Sequence, residues 1–323
     1  MSTAKSKATV TLTLVGLSLL AAAPMAHADH LYVVSLLTHA IMRYDAQTGG
    51  LVGALTVSAS DTYTAMAYDP AYGLYLAGVS STGALFIDRF DVHTGDRIAR
   101  VLNNGPAQQP GDIAFDSTGR LYLSFFNQDK VERYNRLTGV LIDTFVTPGS
   151  GGLNGPTGLT FDSLGRLYVS SRITGQVLRY STTGTFLGIF ATPGGNGPQA
   201  PRFGPDGDLW LVNTGSHTIQ RFDGTTGAFL GNFASVPSTT DGASLTFTGD
   251  GRVLVCISFN DNVRAFDRVT GTPLGDLFPT GRGGLDFPAG VLLVPACEGD
   301  LDHNGIVDMA DFVLFQAAFG ACP

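Results

Sequence analysis

LYVVSLLTHAIMRYD, residues 31–45, is the first of six versions of one segment. LYLSFFNQDKVERYN (121–135), LYVSSRITGQVLRYS (167–181), LWLVNTGSHTIQRFD (209–223) and VLVCISFNDNVRAFD (253–267) share its length. LYLAGVSSTGALFIDRFD (74–91) carries three extra residues. The starts at 31, 74, 121, 167, 209 and 253 are separated by 43, 47, 46, 42 and 44 residues. A period of about 40–50 residues built from short strands marks a β-propeller, with one four-stranded blade per repeat. The period predicts an all-β, six-bladed propeller; it names neither a ligand nor a reaction.

The repeat around residue 167 shows one blade clearly. Gly158–Asp162 reads as a first strand, and Asp162-Ser163-Leu164-Gly165 as a β-turn with Asp first and Gly last. Leu167–Ser171, Gln176–Tyr180 and Phe186–Phe190 follow as second, third and fourth strands, with Thr182-Thr183-Gly184 turning the chain before the last. The same punctuation returns at Asp116–Gly119, Thr138-Gly139, Thr226-Gly227 and Thr270-Gly271. These Asp and Gly residues read as turn chemistry: Asp bonds the backbone N–H groups of its own turn, and Gly supplies a positive φ. Tyr44, Phe90, Tyr134, Tyr180, Phe222 and Phe266 occupy one column, as packing between sheets requires. Arg43, Arg89, Arg133, Arg179 and Arg221 precede five of them and are expected to hydrogen-bond between blades.

The phase of the repeat at the two ends predicts how the ring closes. The repeats open on a second strand, at Leu31. Gly290–Val294 has the pattern of a first strand, so it should pair beside residues 31–35 and complete the blade begun at the other end of the chain.

Residues 1–28 read as a secretory signal: Lys5 and Lys7 precede an apolar run, and Ala26-His27-Ala28 is an A-x-A cleavage site that would leave Asp29 first. The run is short for a membrane span, and no later segment is apolar enough to be one. The whole chain has a net charge of −8, and residues 1–28 hold two lysines and no acid. A basic surface for nucleic acid or an anionic membrane is therefore excluded. Export permits disulfides. Cys297 and Cys322 bracket the last segment and form the natural pair, and Cys256, in a strand, reads as a small buried apolar residue.

LWLVNTGSHTIQRFD and GPTGLTFDSLGRLYVSSRITGQVLRYSTTGTFLGIF resemble NHL repeats, and the resemblance covers about 31–295. It implies a six-bladed propeller, domain limits of 29–295, a binding face formed by loops at one end, and no fixed chemistry. Gluconolactonase-like and virginiamycin-lyase-like propellers share the blade pattern. Resemblance to the first would imply a divalent metal held in the central channel by a Glu with other carboxylate or amide ligands; to the second, a His and Glu pair. The only glutamates are Glu132, on a third strand, and Glu298, beyond the propeller.

Loops between second and third strands, and between blades, should share one face. His39, Asn127, Asp129, Arg172, Asn213, His217, Asn260 and Asp261 are its candidate ligand residues. His39, His217 and Asp261 align in one column. His and Asp are ligand types for a divalent ion, but on separate blades they are not expected to reach one ion together.

Residues 297–323, CEGDLDHNGIVDMADFVLFQAAFGACP, carry the sharpest chemistry. Asp300, Asp302, Asn304, Ile306, Asp308 and Asp311 fall at positions 1, 3, 5, 7, 9 and 12 of a calcium loop, with Gly305 at the turn position and Ile306 offering its carbonyl. Asp at position 12, followed by the apolar spacing of Phe312, Phe315 and Phe319, resembles a single dockerin repeat: loop, then one helix over 309–319. The resemblance implies a Ca²⁺-binding module for attachment or assembly through a cohesin-like or cell-surface partner. The sequence therefore reads as a secreted, non-catalytic propeller that binds a protein or glycan. The alternative is a carbohydrate- or lactone-acting hydrolase or lyase on the same scaffold. For the tail, calorimetry should show one Ca²⁺ bound by the wild type and none by Asp300→Ala, because the loop's carboxylates repel one another until a cation joins them.

Overall fold

The computed structural model describes residues 29–194, 197–236 and 244–295. The signal segment 1–28, the calcium loop with its helix, and the Cys297–Cys322 pair lie outside the described residues.

Six antiparallel four-stranded sheets account for all the described strands. Blade one holds β1 (His30–Ser35), β2 (Ala40–Asp45) and β3 (Leu51–Ala54). Blade two is β4 (Thr62–Asp69), β5 (Gly73–Val79), β6 (Leu85–Phe90) and β7 (Arg97–Gly105). Blade three is β8 (Pro110–Phe115), β9 (Leu121–Phe125), β10 (Lys130–Tyr134) and β11 (Leu141–Val146). Blade four is β12 (Pro156–Phe161), β13 (Leu167–Ser171), β14 (Gln176–Tyr180) and β15 (Phe186–Ala191). Blade five is β16 (Pro198–Phe203), β17 (Leu209–Asn213), β18 (Thr218–Phe222) and β19 (Phe229–Ser235). Blade six is β20 (Leu245–Phe247), β21 (Arg252–Ile257), β22 (Asn262–Asp267) and β23 (Pro273–Asp276). β24 (Pro288–Val294) then adds to blade one, in the order β24-β1-β2-β3. Leu31 faces Leu293 and Val34 faces Gly290, so the last strand closes the ring as the repeat phase predicts.

Packing between blades follows the second-strand column. Tyr75, Tyr122, Tyr168 and Trp210 are fully buried or nearly so, and each meets edge-on a Phe that ends the innermost strand of the next blade. Tyr75–Phe115, Tyr122–Phe161, Tyr168–Phe203 and Trp210–Phe247 have ring centroids 5.0, 4.9, 5.0 and 5.4 Å apart. Such edge-to-face pairs are worth about 0.5–1.5 kcal/mol each beyond the area they bury. The third-strand column packs the other way. Tyr44, for example, stacks on Phe278 of blade six at 4.1 Å. Cys256 is fully buried in the same cluster, and burial pushes its thiol pKa up, which suits a packing residue and not a nucleophile.

The repeated arginines work within blades. Each faces a second-strand aromatic directly across the ladder: Tyr75↔Arg89, Tyr122↔Arg133, Tyr168↔Arg179 and Trp210↔Arg221. Arg221 lies 4.6 Å over the Trp210 ring and pairs with Asp208, while Arg133 pairs with Asp143 of its own blade. Arg43 alone of the five has a printed bond across a junction, donating to the carbonyls of Val92 and His93. In blade six the facing residues are Leu254 and Ala265, so the arginine and its aromatic are lost together. The expectation of bonds between blades therefore holds for Arg43 and not for the others; a guanidinium on strand three finds an aromatic face and a carboxylate nearer at hand.

The turns joining third to fourth strands show why Thr-Gly recurs. Asp45, Asp91, Asn135, Asp223 and Asp267 each accept backbone N–H bonds from the residues two and three further on. The following glycine has a positive φ, and it also has no room for a side chain. A Cβ on Gly227 would stand 1.8 Å from the Phe190 carbonyl oxygen, and one on Gly139 2.2 Å from that of Val101. The turn of one blade thus rests on the outer strand of the blade before it.

The N–H and hydroxyl bonds from Thr226 hold the Asp223 carboxyl below the usual range, and those from Thr270 do the same for Asp267. A carboxyl depressed in the folded state adds stability above its unfolded pKa of about 4 and loses it as the pH falls through the folded value. The thermal midpoint should therefore drop on acidification from about pH 4 toward pH 2. Asp223→Asn/Asp267→Asn should flatten that drop without breaking the turns, since Asn135 already holds the same turn in blade three. Parallel acid profiles for the two proteins would refute the assignment.

Candidate functional site

The innermost strands of the blades surround a cavity of about 320 Å³. Its mouth opens among the loops that join second to third strands, since Leu36, Phe126, Asn127 and Arg172 line it from those loops. Five of the innermost strands carry one extra residue against their second strand. In blade three, Pro110 pairs with Phe125 but Ile113 with Leu123; in blade five, Gln199 pairs with Val212 but Arg202 with Trp210. Such bulges bend a strand and re-aim its side chains. Here they bring Gly111, Asp112 and Ala200 to the cavity wall, and Ala200 takes a left-handed φ of 46°.

Hydrogen bonds tie these strands into a ring. Thr64 donates to the Pro110 carbonyl at 2.7 Å, Thr157 to that of Pro198 at 3.1 Å, and Ser244 to that of Val291 at 3.4 Å. The tightest stitch uses the charged residues. Asp112 of blade three accepts the Leu159 N–H of blade four at 2.8 Å, while Arg202 of blade five donates to the Leu159 carbonyl at 2.9 Å. Asp112 and Arg202 are themselves 3.5 Å apart. Burial pushes the Asp112 carboxyl pKa up; the Arg202 guanidinium and the N–H groups of Leu159 and Ile113 oppose that by favouring the ionised form. One residue's backbone is thus gripped on both sides by two neighbouring blades.

The eight loop candidates divide. Asn127 and Arg172 line the mouth. Asn260 and His217 are exposed. Asn213 is buried and spends its side chain on loop backbone, donating to the carbonyls of Pro193 and Gly194 and accepting from the N–H groups of Gly215 and Ser216. His39, Asp129 and Asp261 reach across to the strand entries of the next blade: His39 to the Asp61 carbonyl at 3.2 Å, Asp129 to the Gly155 N–H at 2.8 Å, and Asp261 to the Phe287 N–H at 2.8 Å.

The His39, His217 and Asp261 column has a conformational explanation. Asp129 and Gly175 stand at the same place in their repeats, and all five have a left-handed φ, from 49° to 68°. His, Asp and Gly recur there because the turn needs that backbone. Among the described residues, no group of three or more His, Cys, Asp or Glu is placed to hold a metal ion. Glu132 is buried away from the cavity, bonded by Lys130 and by the Tyr134 hydroxyl.

Sequence reasoning missed Asp112, Gln199, Arg202 and the hydroxyls of Thr64, Thr157 and Ser244. The usable signal was singularity. An Asp inside the Pro110–Phe115 strand and an Arg inside the Pro198–Phe203 strand have no charged counterpart at the matching position of the other first strands.

No protein-family model matches the sequence, and no curated protein does. Solved structures share the fold. A chain of a nidogen/laminin complex superposes with a TM-score of 0.68 at 17% identity, over 83% of this chain and 100% of that one. A protein of unknown function from Bacteroides caccae gives 0.60 at 11% identity, over 83% and 100%. Virginiamycin B lyase from Staphylococcus aureus gives 0.53 at 14% identity, over 74% and 80%. At these identities the likeness carries the fold alone.

The stitch has a measurable consequence. Asp112→Ala leaves the Leu159 N–H and a guanidinium without their acceptor, and should lower the unfolding free energy by about 3 kcal/mol in denaturant titrations. Asp112→Asn keeps one acceptor oxygen and should cost about 1 kcal/mol. Equal stability of Asp112→Ala and the wild type would show that the stitch contributes nothing.

Proposed function

We propose that the protein is an exported propeller that binds a protein or glycan group at the mouth of its central cavity and does not transform it. The observation that carries this reading is the chemistry of the wall. Most of it is Gly, Ala, Thr, Ser and apolar side chains such as Val34, Met66 and Val291. Its one carboxylate, Asp112, is engaged by two backbone N–H groups and faces Arg202. A general acid or base must be able to exchange a proton with a substrate. Asp112 has its lone pairs committed to holding three blades together. An apolar wall with a few polar groups is the usual make-up of a binding pocket.

The nidogen/laminin complex supports a protein partner for such a fold, since a propeller of this shape occurs there in an assembly. Virginiamycin B lyase is the counter-example, a lyase on the same scaffold. It keeps the alternative of a carbohydrate- or lactone-acting enzyme in view. On the binding reading, residues 1–28 direct export. The Ca²⁺ loop at Asp300–Asp311, closed by Cys297–Cys322, attaches or assembles the propeller through a cohesin-like or cell-surface partner.

The test is to screen the full mature chain against arrays of glycans and extracellular proteins, and then to repeat every hit with three variants. Phe126→Ala and Arg172→Ala alter the mouth; Leu230→Glu alters the exposed outer strand of blade five. Binding should fall at least tenfold in both mouth variants and stay unchanged in the outer one, with all three melting like the wild type. Hits that depend on Leu230 and ignore the mouth would overturn the assignment, as would turnover of a bound sugar or lactone by the wild type.

A further inference from the structure

The cavity carries a charge imbalance that is unusual for this chain. Acidic residues outnumber basic ones by 27 to 19 overall. The cavity lining reverses this, with two guanidinium groups, Arg172 and Arg202, against the single carboxylate of Asp112. The loops around the mouth do not cancel the excess at short range. Asp129 and Asp261, which do not line the cavity, turn their carboxylates to the N–H groups of Gly155 and Phe287. A low-dielectric recess with an excess of one sign focuses potential and selects the opposite sign in its ligand.

The neutral polar groups narrow the choice. Thr64, Thr157 and Ser244 each donate the hydroxyl proton to a backbone carbonyl of the next blade. Their lone pairs remain as acceptors, so these residues suit a ligand that brings hydroxyl donors. Gln109, Asn127 and Gln199 add amide groups, which both donate and accept. An aliphatic acid would bring no donors for these acceptors. A neutral sugar would leave the guanidinium excess unmatched. Phe126 at the mouth, with Leu36 and Met66, offers apolar surface for the C–H face of a ring.

Resting on the binding function proposed above, we propose that the cavity takes an acidic sugar: a hydroxyl-rich ring bearing one carboxylate, as at the end of a uronate chain. Arg172, at the rim, meets the carboxylate; the hydroxyls and amides of the wall meet the ring. Arg202 contributes charge from below while its guanidinium holds the Leu159 backbone.

Digalacturonate is the probe. Calorimetry on the full mature chain compares it with galactobiose, which lacks the carboxylates, and with N-acetylglutamate, which has carboxylates without the sugar. Digalacturonate should bind at least tenfold more tightly than either. Raising the salt from 20 to about 500 mM should weaken it severalfold, because the rim is partly screened. Arg172→Gln should lower its affinity about tenfold without shifting the melting temperature, and Arg172→Lys should restore part of the loss. Equal binding of digalacturonate and galactobiose, both lost in Phe126→Ala, would overturn the acidic preference and leave the binding reading standing. N-acetylglutamate binding as well as digalacturonate would overturn the sugar assignment. No binding by any of the three probes would overturn the inference as a whole, whereas the binding reading itself falls only if array hits ignore the mouth.

Discussion

Six sheets become a ring through one antiparallel pair, Leu31–Val34 against Gly290–Leu293. Without it, blade one would have three strands and the circle of innermost strands would be open. Every other junction joins sheets whose chains run on from one to the next, so their local concentration is high by connectivity. The closing junction joins the two ends of the propeller, 250 residues apart in sequence, and carries the largest loop-closure entropy in the fold. It is correspondingly well made. Five consecutive residues pair without a shift between His30↔Val294 and Val34↔Gly290, and the clusters on both faces draw on β1 and β24 together. Arg252 adds a bond from blade six to the Ala46 carbonyl of blade one.

That constraint explains why the repeat was so readable. Each blade must present a buried second strand, a turn that lies on the previous blade and an aromatic that reaches the next, so the same residue types return at the same places. Strand two, residues 167–171, and strand three, residues 176–180, fall where turn chemistry and alternation put them. The phase at the two ends identifies the closing strand for the same reason. A repeat gives position, however, and not direction. Arg133 and Arg221 stand beside an inter-blade aromatic in the sequence, yet their charged partners are Asp143, Asp206 and Asp208 of their own blades. Only the cross-strand register, with Tyr122 opposite Arg133 and Trp210 opposite Arg221, gives that away.

The site was legible only in part, for a related reason. Loop residues such as Asn127 and Arg172 can be assigned to a face from the blade pattern alone. The wall belongs to the innermost strands, and there the two-residue alternation breaks. The extra residue in β8 and in β16 shifts which side chains face the cavity, so no periodicity points to Asp112 or Arg202. The His39, His217 and Asp261 column shows the opposite trap. Chemically it looks like ligands; conformationally it is one left-handed turn position, and Gly175 in the same column, a residue without a side chain, is the member that separates the two explanations.

The same atoms that close the ring also set what the cavity can recognise. The hydroxyls of Thr64, Thr157 and Ser244 and the carboxylate of Asp112 are spent on neighbouring strands, so the wall has little proton-transfer capacity. Stitching consumes donors from the hydroxyls and acceptors from the carboxylate. It therefore leaves behind hydroxyl lone pairs and uncancelled guanidinium charge. A symmetric ring would spread these groups evenly and favour no orientation. Here Asp112 and Arg202 grip one peptide group of blade four, and Arg172, from the same blade's second-to-third loop, stands on the rim of the same cavity. The polarity of the site is thus concentrated on blades three to five, opposite a smoother wall of Val34, Ala289, Gly290 and Val291 from blade one. A ligand entering the mouth meets charge on one side and apolar surface on the other. That is the asymmetry a single oriented ligand requires, and it arises from how the ring is held shut.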